Sequence, residues 1–171
     1  MIAQWFQPLE FISLDRVKCD VMTIAKGTLE KLKVTNSSHP IFQLNQNNEE
    51  EIFVKSNIQE DRFGGGKNST AILDALNDFM FTDSGFRGNT ANYYNPANSF
   101  IDKVLQSRQG IPITLCLLYK LVAQMLGVFT EPMNVPSHFM LKWHDTTTDI
   151  SYYIGKKEAP KMLDILAILI F

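Results

Sequence analysis

The chain has 171 residues, enough to bury one good core, and its 45% hydrophobic and 20% charged residues are ordinary for a soluble globular protein. A formal net charge of −2 with no basic stripe gives no reason to expect this chain to bind nucleic acid. Its two cysteines, Cys19 and Cys116, have neither CxxC nor metal-ligand spacing. They read as reduced, buried apolar residues of an intracellular protein, cytoplasmic or nuclear, with no metal and no cofactor.

The opening stretch MIAQWFQPLEF has no basic segment followed by an apolar one, so no secretory signal is expected. No run approaches the roughly 18 apolar residues that a membrane span needs. Residues 13–33 read as an amphipathic helix. Ser13 is its N-cap, and Leu14, Val17, Val21, Ile24 and Leu32 recur near the 3.6-residue period. TNSSHP breaks it, and residues 43–68, polar, acidic and Gly-rich, read as a mobile loop. The GGGKNST within this loop is not a phosphate loop, because Asn68 follows Lys67 where Ser or Thr is required and no strand leads in.

Asn68 or Ser69 is the expected cap of a second helix carrying Ile72, Leu73, Leu76, Phe79 and Met80 on one face. After the turn-rich TDSGFRGNTANYYN, Asn95 followed by Pro96 marks another helix start, with Phe100, Ile101, Val104 and Leu105 as its stripe and Gly110 as its stop. Pro112 then opens a helix that is apolar on nearly every side as far as Leu126, the mark of an element at the centre of a domain. Beyond Gly127 the pattern changes to three extended pieces, VFTEPMNV, HFMLKW and DISYYI. Helices first and strands last describe an α+β fold with a buried central helix and a small antiparallel sheet. The final run MLDILAILIF is either a last packed element or the end of a chain cut from something longer.

Chemistry is sparse. A reactive thiolate wants the first turn of a helix, with a His partner beside it. Cys116 instead lies about a turn beyond Pro112, among Leu115, Leu117 and Leu118, where burial raises a thiol's pKa. Thr114 is nearer the helix start but reads as a capping or back-bonding residue. His138, after a Pro-bearing turn and at the head of a strand, is either a hydrogen-bonded structural residue or an imidazole facing a cleft. A triad would also need an orienting acid, and spacing selects neither Asp145 nor Asp149. His39 and His144 read as loop residues.

The run GFRGN…YYNPANSFIDKVLQSRQGIPITLCLLYKLVAQMLGV…EPMNVPSHFMLKW resembles the SirB-type transglutaminase-like core. The resemblance covers most of residues 3–143 and implies a papain-like α+β fold over the whole chain, 1–171, with 144–171 divergent or truncated. It places the nucleophile at or near Pro112, the triad His at His138 and the acid near Gly155, so one position of three is filled. It also implies kinship with F-box proteins that act as substrate receptors of cullin-RING ubiquitin ligases. An F-box that would grip the Skp adaptor is not recognisable in these residues. The expected function is a non-catalytic protein-interaction domain of such a receptor, with a protein as partner. The expected cleft is formed by Asn89, Tyr93, Tyr94, Asn95, Asn98, Arg108, Asn134, Ser137 and His138. The alternative is a cysteine-dependent acyl transferase or amide hydrolase using Cys116 or Thr114 with His138.

Overall fold

The long first helix, α1 (Leu14–Thr35), begins where the sequence offers a cap: the Ser13 hydroxyl accepts from the Arg16 N–H. The structure, a computed structural model, describes residues 13–43, 60–136 and 138–155. The acidic half of the polar loop, Ser137 and the apolar C-terminal run lie outside those residues. Val21, Ile24, Ala25 and Leu32 form the buried face of α1. Leu14, expected on that face, is exposed, because the first turn projects past the core. Gly27 sits where a ring needs room: a Cβ there would stand 2.1 Å from the Phe79 side chain.

Helix α2 (Gly66–Asn77) starts earlier than the sequence suggests and has no cap of its own at Gly65. Its cap comes from 79 residues away, where the Asp145 carboxylate accepts from the Gly66 N–H at 2.8 Å. Ser69, one of the expected caps, is buried inside the helix. A π-helical turn (Asp78–Asp83) continues α2 and carries buried Met80 and Phe81. His39 lies in the loop after α1, as expected, capping a 3₁₀ turn (Pro40–Phe42), but it is buried there. Its Nδ1 accepts from the Ile41 N–H, and its Nε2 lies 3.1 Å from the Asn68 carbonyl, to which that nitrogen donates in the corresponding neutral tautomer.

A short parallel pair, β1 (Arg87–Gly88) and β2 (Gln109–Gly110), brackets a 3₁₀ turn at Pro96–Ser99 and helix α3 (Ile101–Ser107). Pro112 is the first residue of α4 (Pro112–Met125), which packs on α1, α2 and α3 along one side and on the sheet along another. That sheet is the expected antiparallel set, β3 (Glu131–Val135), β4 (His138–Asp145) and β5 (Ile150–Ile154), in the order β3-β4-β5. The architecture is the α+β core that the sequence implies. Its central helix, however, is not covered on every side. Ile113, Leu117 and Leu121, four residues apart, form an exposed apolar stripe.

The Gly-rich end of the polar stretch is a fixed turn. Asp61 accepts from the Phe129 N–H and from the Trp143 indole N–H, both at 2.7 Å, and the Arg62 N–H donates to the Gly127 carbonyl. Asp145 is held in a similar way. Burial pushes its carboxyl up, but bonds from the Thr147 hydroxyl and N–H, the Thr148 hydroxyl and the Gly66 N–H outweigh that and bring it down to about 2.

Removing the carboxylate in Asp145→Ala should cost about 1–3 kcal/mol in chemical denaturation, because a helix start loses its cap and the threonines lose their acceptor. A carboxyl depressed in the fold stabilises it above the ordinary value of 3.8 and loses that contribution as pH falls from there towards 2. The variant should lack that part of the wild type's acid sensitivity. His39 titrates in the opposite chemical sense: burial lowers its pKa, partly offset by its bond to the Asn68 carbonyl. The fold therefore favours the neutral ring, and its contribution is complete above about 6.5 and declines as pH drops through that value. Urea midpoints measured between pH 7.5 and 5 should fall in the wild type and fall less in His39→Gln.

Candidate functional site

The place a nucleophile would occupy is the first turn of α4, and the chain reaches it through a tightly tied entry. The Asn89 N–H donates to the Gly110 carbonyl, and the Ile111 N–H donates to the Asn98 carbonyl, so the 89–99 loop is fastened directly to the helix start. Gly110 has Val104 and the Asn98 carbonyl against it, and a Cβ would meet Val104 at 3.0 Å. Pro112 follows at N1, where its fixed φ suits the helix and its missing N–H costs nothing. A pyrrolidine ring offers no nucleophile.

Cys116 lies one turn further along and is 1% exposed. Burial pushes its thiol up to about 12, so essentially none is thiolate at neutral pH. The S–H points to the Phe139 carbonyl at 3.9 Å, which brings the start of β4 alongside this turn of α4. Thr114, in the first turn, is also buried.

His138 begins β4, opposite Val135. The register of β4 with both neighbours runs without a bulge, so the pleat puts His138 on one face with Met140, Lys142 and His144. The buried residues Leu141, Trp143 and Asp145 occupy the other face, the one that packs into the core with α4. Phe139, between them, presents its carbonyl to the Cys116 thiol. By this alternation His138 lies on the face opposite Leu141, Trp143 and Asp145.

Neither acid stands beside His138. Asp145 closes the far end of β4, about 23 Å away at the usual rise per strand residue, where it caps α2. Asp149 lies 3.4 Å from His144. Gly155, at the place implied for the third triad residue, packs so closely on Met140 that a Cβ would come within 2.7 Å of that side chain.

The cleft residues read from the sequence divide into frame and display. Asn98 is buried; its amide donates to the Asn92 and Tyr93 carbonyls and its Oδ1 accepts from Asn89. The Asn89 Oδ1 accepts from the Asn92 N–H, and the Asn95 side chain caps the 3₁₀ turn through the Ala97 N–H. These three asparagines fix the loop. Tyr93 and Tyr94 stand outside it, edge to face at 5.4 Å, with Tyr94 93% exposed. Asn134 is exposed on β3. Arg108 turns away from His138 towards Ser84 and Phe86, and Ser137 lies outside the described residues.

The exposed stripe Ile113–Leu117–Leu121 contradicts the expectation of a helix buried on every side. Its spacing was readable, but its exposure depends on what the tertiary fold leaves uncovered. Cys19, read as buried, is exposed. Among the described residues no group of three or more His, Cys, Asp or Glu could hold a metal ion, and no helix is long and apolar enough to cross a membrane.

Residues 41–155 match the family model described as the transglutaminase-like superfamily. The chain is 34% identical over 157 residues to F-box only protein 21 of Homo sapiens, covering 90% of this chain and 23% of that protein. The Pongo abelii protein of the same name is 35% identical over 157 residues, with 90% and 24% covered. A UPF0162 protein of Xylella fastidiosa is 35% identical over 70 residues, 41% of this chain and 25% of that protein. The chain spans about a quarter of the length of the curated relatives it matches. No solved structure matches. The tied helix start, the strand that opens on His138 and the match over residues 41–155 agree, and the chain belongs to the transglutaminase-like superfamily.

Proposed function

We propose that this chain is a pseudoenzyme: a non-catalytic protein-interaction domain that presents the 89–99 loop and the outer stripe of α4 to a protein partner. The observation that carries this reading is the first turn of α4, where Pro112 stands in the nucleophile's place while the nearest thiol is buried and protonated. Acyl transfer through a covalent intermediate needs an attacking group and a base within hydrogen-bond reach. Here the first turn offers no thiol, and the sulfur of Cys116 is 1% exposed.

The same region is suited to protein contact. Tyr93 and Tyr94 bring large amphipathic area on a loop already ordered by asparagine hydrogen bonds, so little freedom is lost when they are covered. Ile113 sits at the helix start to which that loop is tied, and Leu117 and Leu121 extend its apolar surface along α4. An aromatic and aliphatic patch rimmed by amides has the composition of an interface centre. The F-box relatives favour a specific setting, in which the domain recognises the substrate of an F-box-type ubiquitin-ligase receptor. In that setting, contact with a Skp–cullin complex belongs to an F-box outside this chain.

Two experiments test the proposal. Under native conditions near pH 7.5, iodoacetamide followed by peptide mass spectrometry should label Cys19 readily and Cys116 only after denaturation. Rapid native labelling of Cys116 would restore the enzyme reading. In a comparison of proteins captured from cell extract, Tyr94→Ser combined with Leu117→Ser should lose a specifically retained protein that Cys116→Ser and His138→Ala both keep. The opposite pattern, with the fold intact by circular dichroism, would defeat it.

A further inference from the structure

A separate cavity of about 250 Å³ opens between the start of α1, the π-helical turn and the end of α3. Its floor is apolar, formed by Ile24, Phe79 and Phe86, and its rim carries Arg16, Asp20 and Arg108. The volume lies below the roughly 300–1,000 Å³ of sites for drug-sized ligands, so it suits a group the size of one side chain. Two guanidinium groups against one carboxylate leave the rim net positive.

Arg108 is already in position. Its backbone is left-handed, φ 58°, at the C-cap of α3, a place that glycine or asparagine normally takes. Its guanidinium donates to the Ser84 carbonyl and lies over the Phe86 ring at 5.9 Å. That bond uses one of five N–H donors, and the planar fork is pinned by hydrogen bond and ring together. A carboxylate arriving there would meet a donor that loses little freedom on binding.

We propose that this cavity is a binding site for a carboxylate carried on a short apolar body. The anionic head bonds Arg108 and Arg16, and the apolar part rests against Phe79 and Phe86. The site is distinct from the surface of the 89–99 loop and does not rest on the role assigned to it. The carboxylate could come from a small free acid or from an acidic residue beside an apolar one in a peptide segment.

Titration of the full chain with phenylacetate, followed by backbone amide shifts, should perturb residues lining this cavity, and benzylamine should not. Arg108→Gly suits the left-handed backbone and should keep the fold while weakening phenylacetate about tenfold or more, as expected for loss of a charge-assisted bond. Arg16→Ala, at an exposed position, should weaken it less, and Asp20→Asn should tighten it. A capped Asp-Phe peptide binding as well as phenylacetate would point to a protein segment as source, and binding of the free acid alone to a small molecule; either supports the site. Equal binding of phenylacetate and benzylamine, shifts located elsewhere, or affinity indifferent to both Arg16→Ala and Asp20→Asn would overturn it.

Discussion

The register of β4 is the constraint on which the rest of the molecule depends. Leu141 and Trp143 must face inward to complete the core, and a strand's side chains alternate strictly, so fixing those two fixes every other residue of β4. Asp145 is thereby turned inward at one end, where it finds the uncapped start of α2. His138 is thereby turned to the other face at the opposite end. A slip by one residue would reverse both, bringing the imidazole inward only by expelling the indole. The direction of His138 is therefore a consequence of packing, enforced by two large inward side chains of the sheet.

The sheet is fastened to the helices by two carboxylates, Asp61 and Asp145. Asp61 and Asp145 are satisfied by N–H and O–H donors, a cheaper way to hold a partly buried charge than a desolvated ion pair. Each joins elements far apart in sequence: Asp61 links the turn before α2 to β4 and to the exit of α4, and Asp145 links β4 back to α2. The glycines between them allow the backbone to approach. Gly66, at φ 59°, leaves its N–H open to the Asp145 oxygen, and a side chain there would run into Thr147. Loss of either carboxylate would loosen the same seam between layers.

Elements whose signals are local were legible in the sequence. Ser13 caps α1, Pro112 begins α4, and the three strands fall where the apolar pattern shortens. What was not legible depended on distant partners. The cap of α2 is supplied by a strand end, so no nearby Ser or Asn could announce it, and Ser69 was a false signal. His39 is buried because Phe42, Phe63 and the Asn68 carbonyl surround it, an arrangement invisible in TNSSHP. The uncovered stripe of α4 has the composition of a buried face; only the arrangement of neighbouring elements leaves it open. The asparagines and tyrosines of the 89–99 loop are identifiable as a cluster, yet their division into internal frame and external display depends on the hydrogen bonds themselves.

The ties that position the start of α4 each have a folding role of their own. The tie between Asn98 and Ile111, the close approach at Gly110 and the run of β4 beside α4 each serve folding, whatever atom occupies the helix start. Catalysis asks for something further: a nucleophile on the first turn, where dipole and free N–H groups lower its pKa, and a base on the same side of the strand. Proline at N1 satisfies the folding requirement better than cysteine would, since its φ is preset and no donor is left over. The 89–99 loop, tied to that helix start by the same bonds, carries Tyr93 and Tyr94 on an ordered surface.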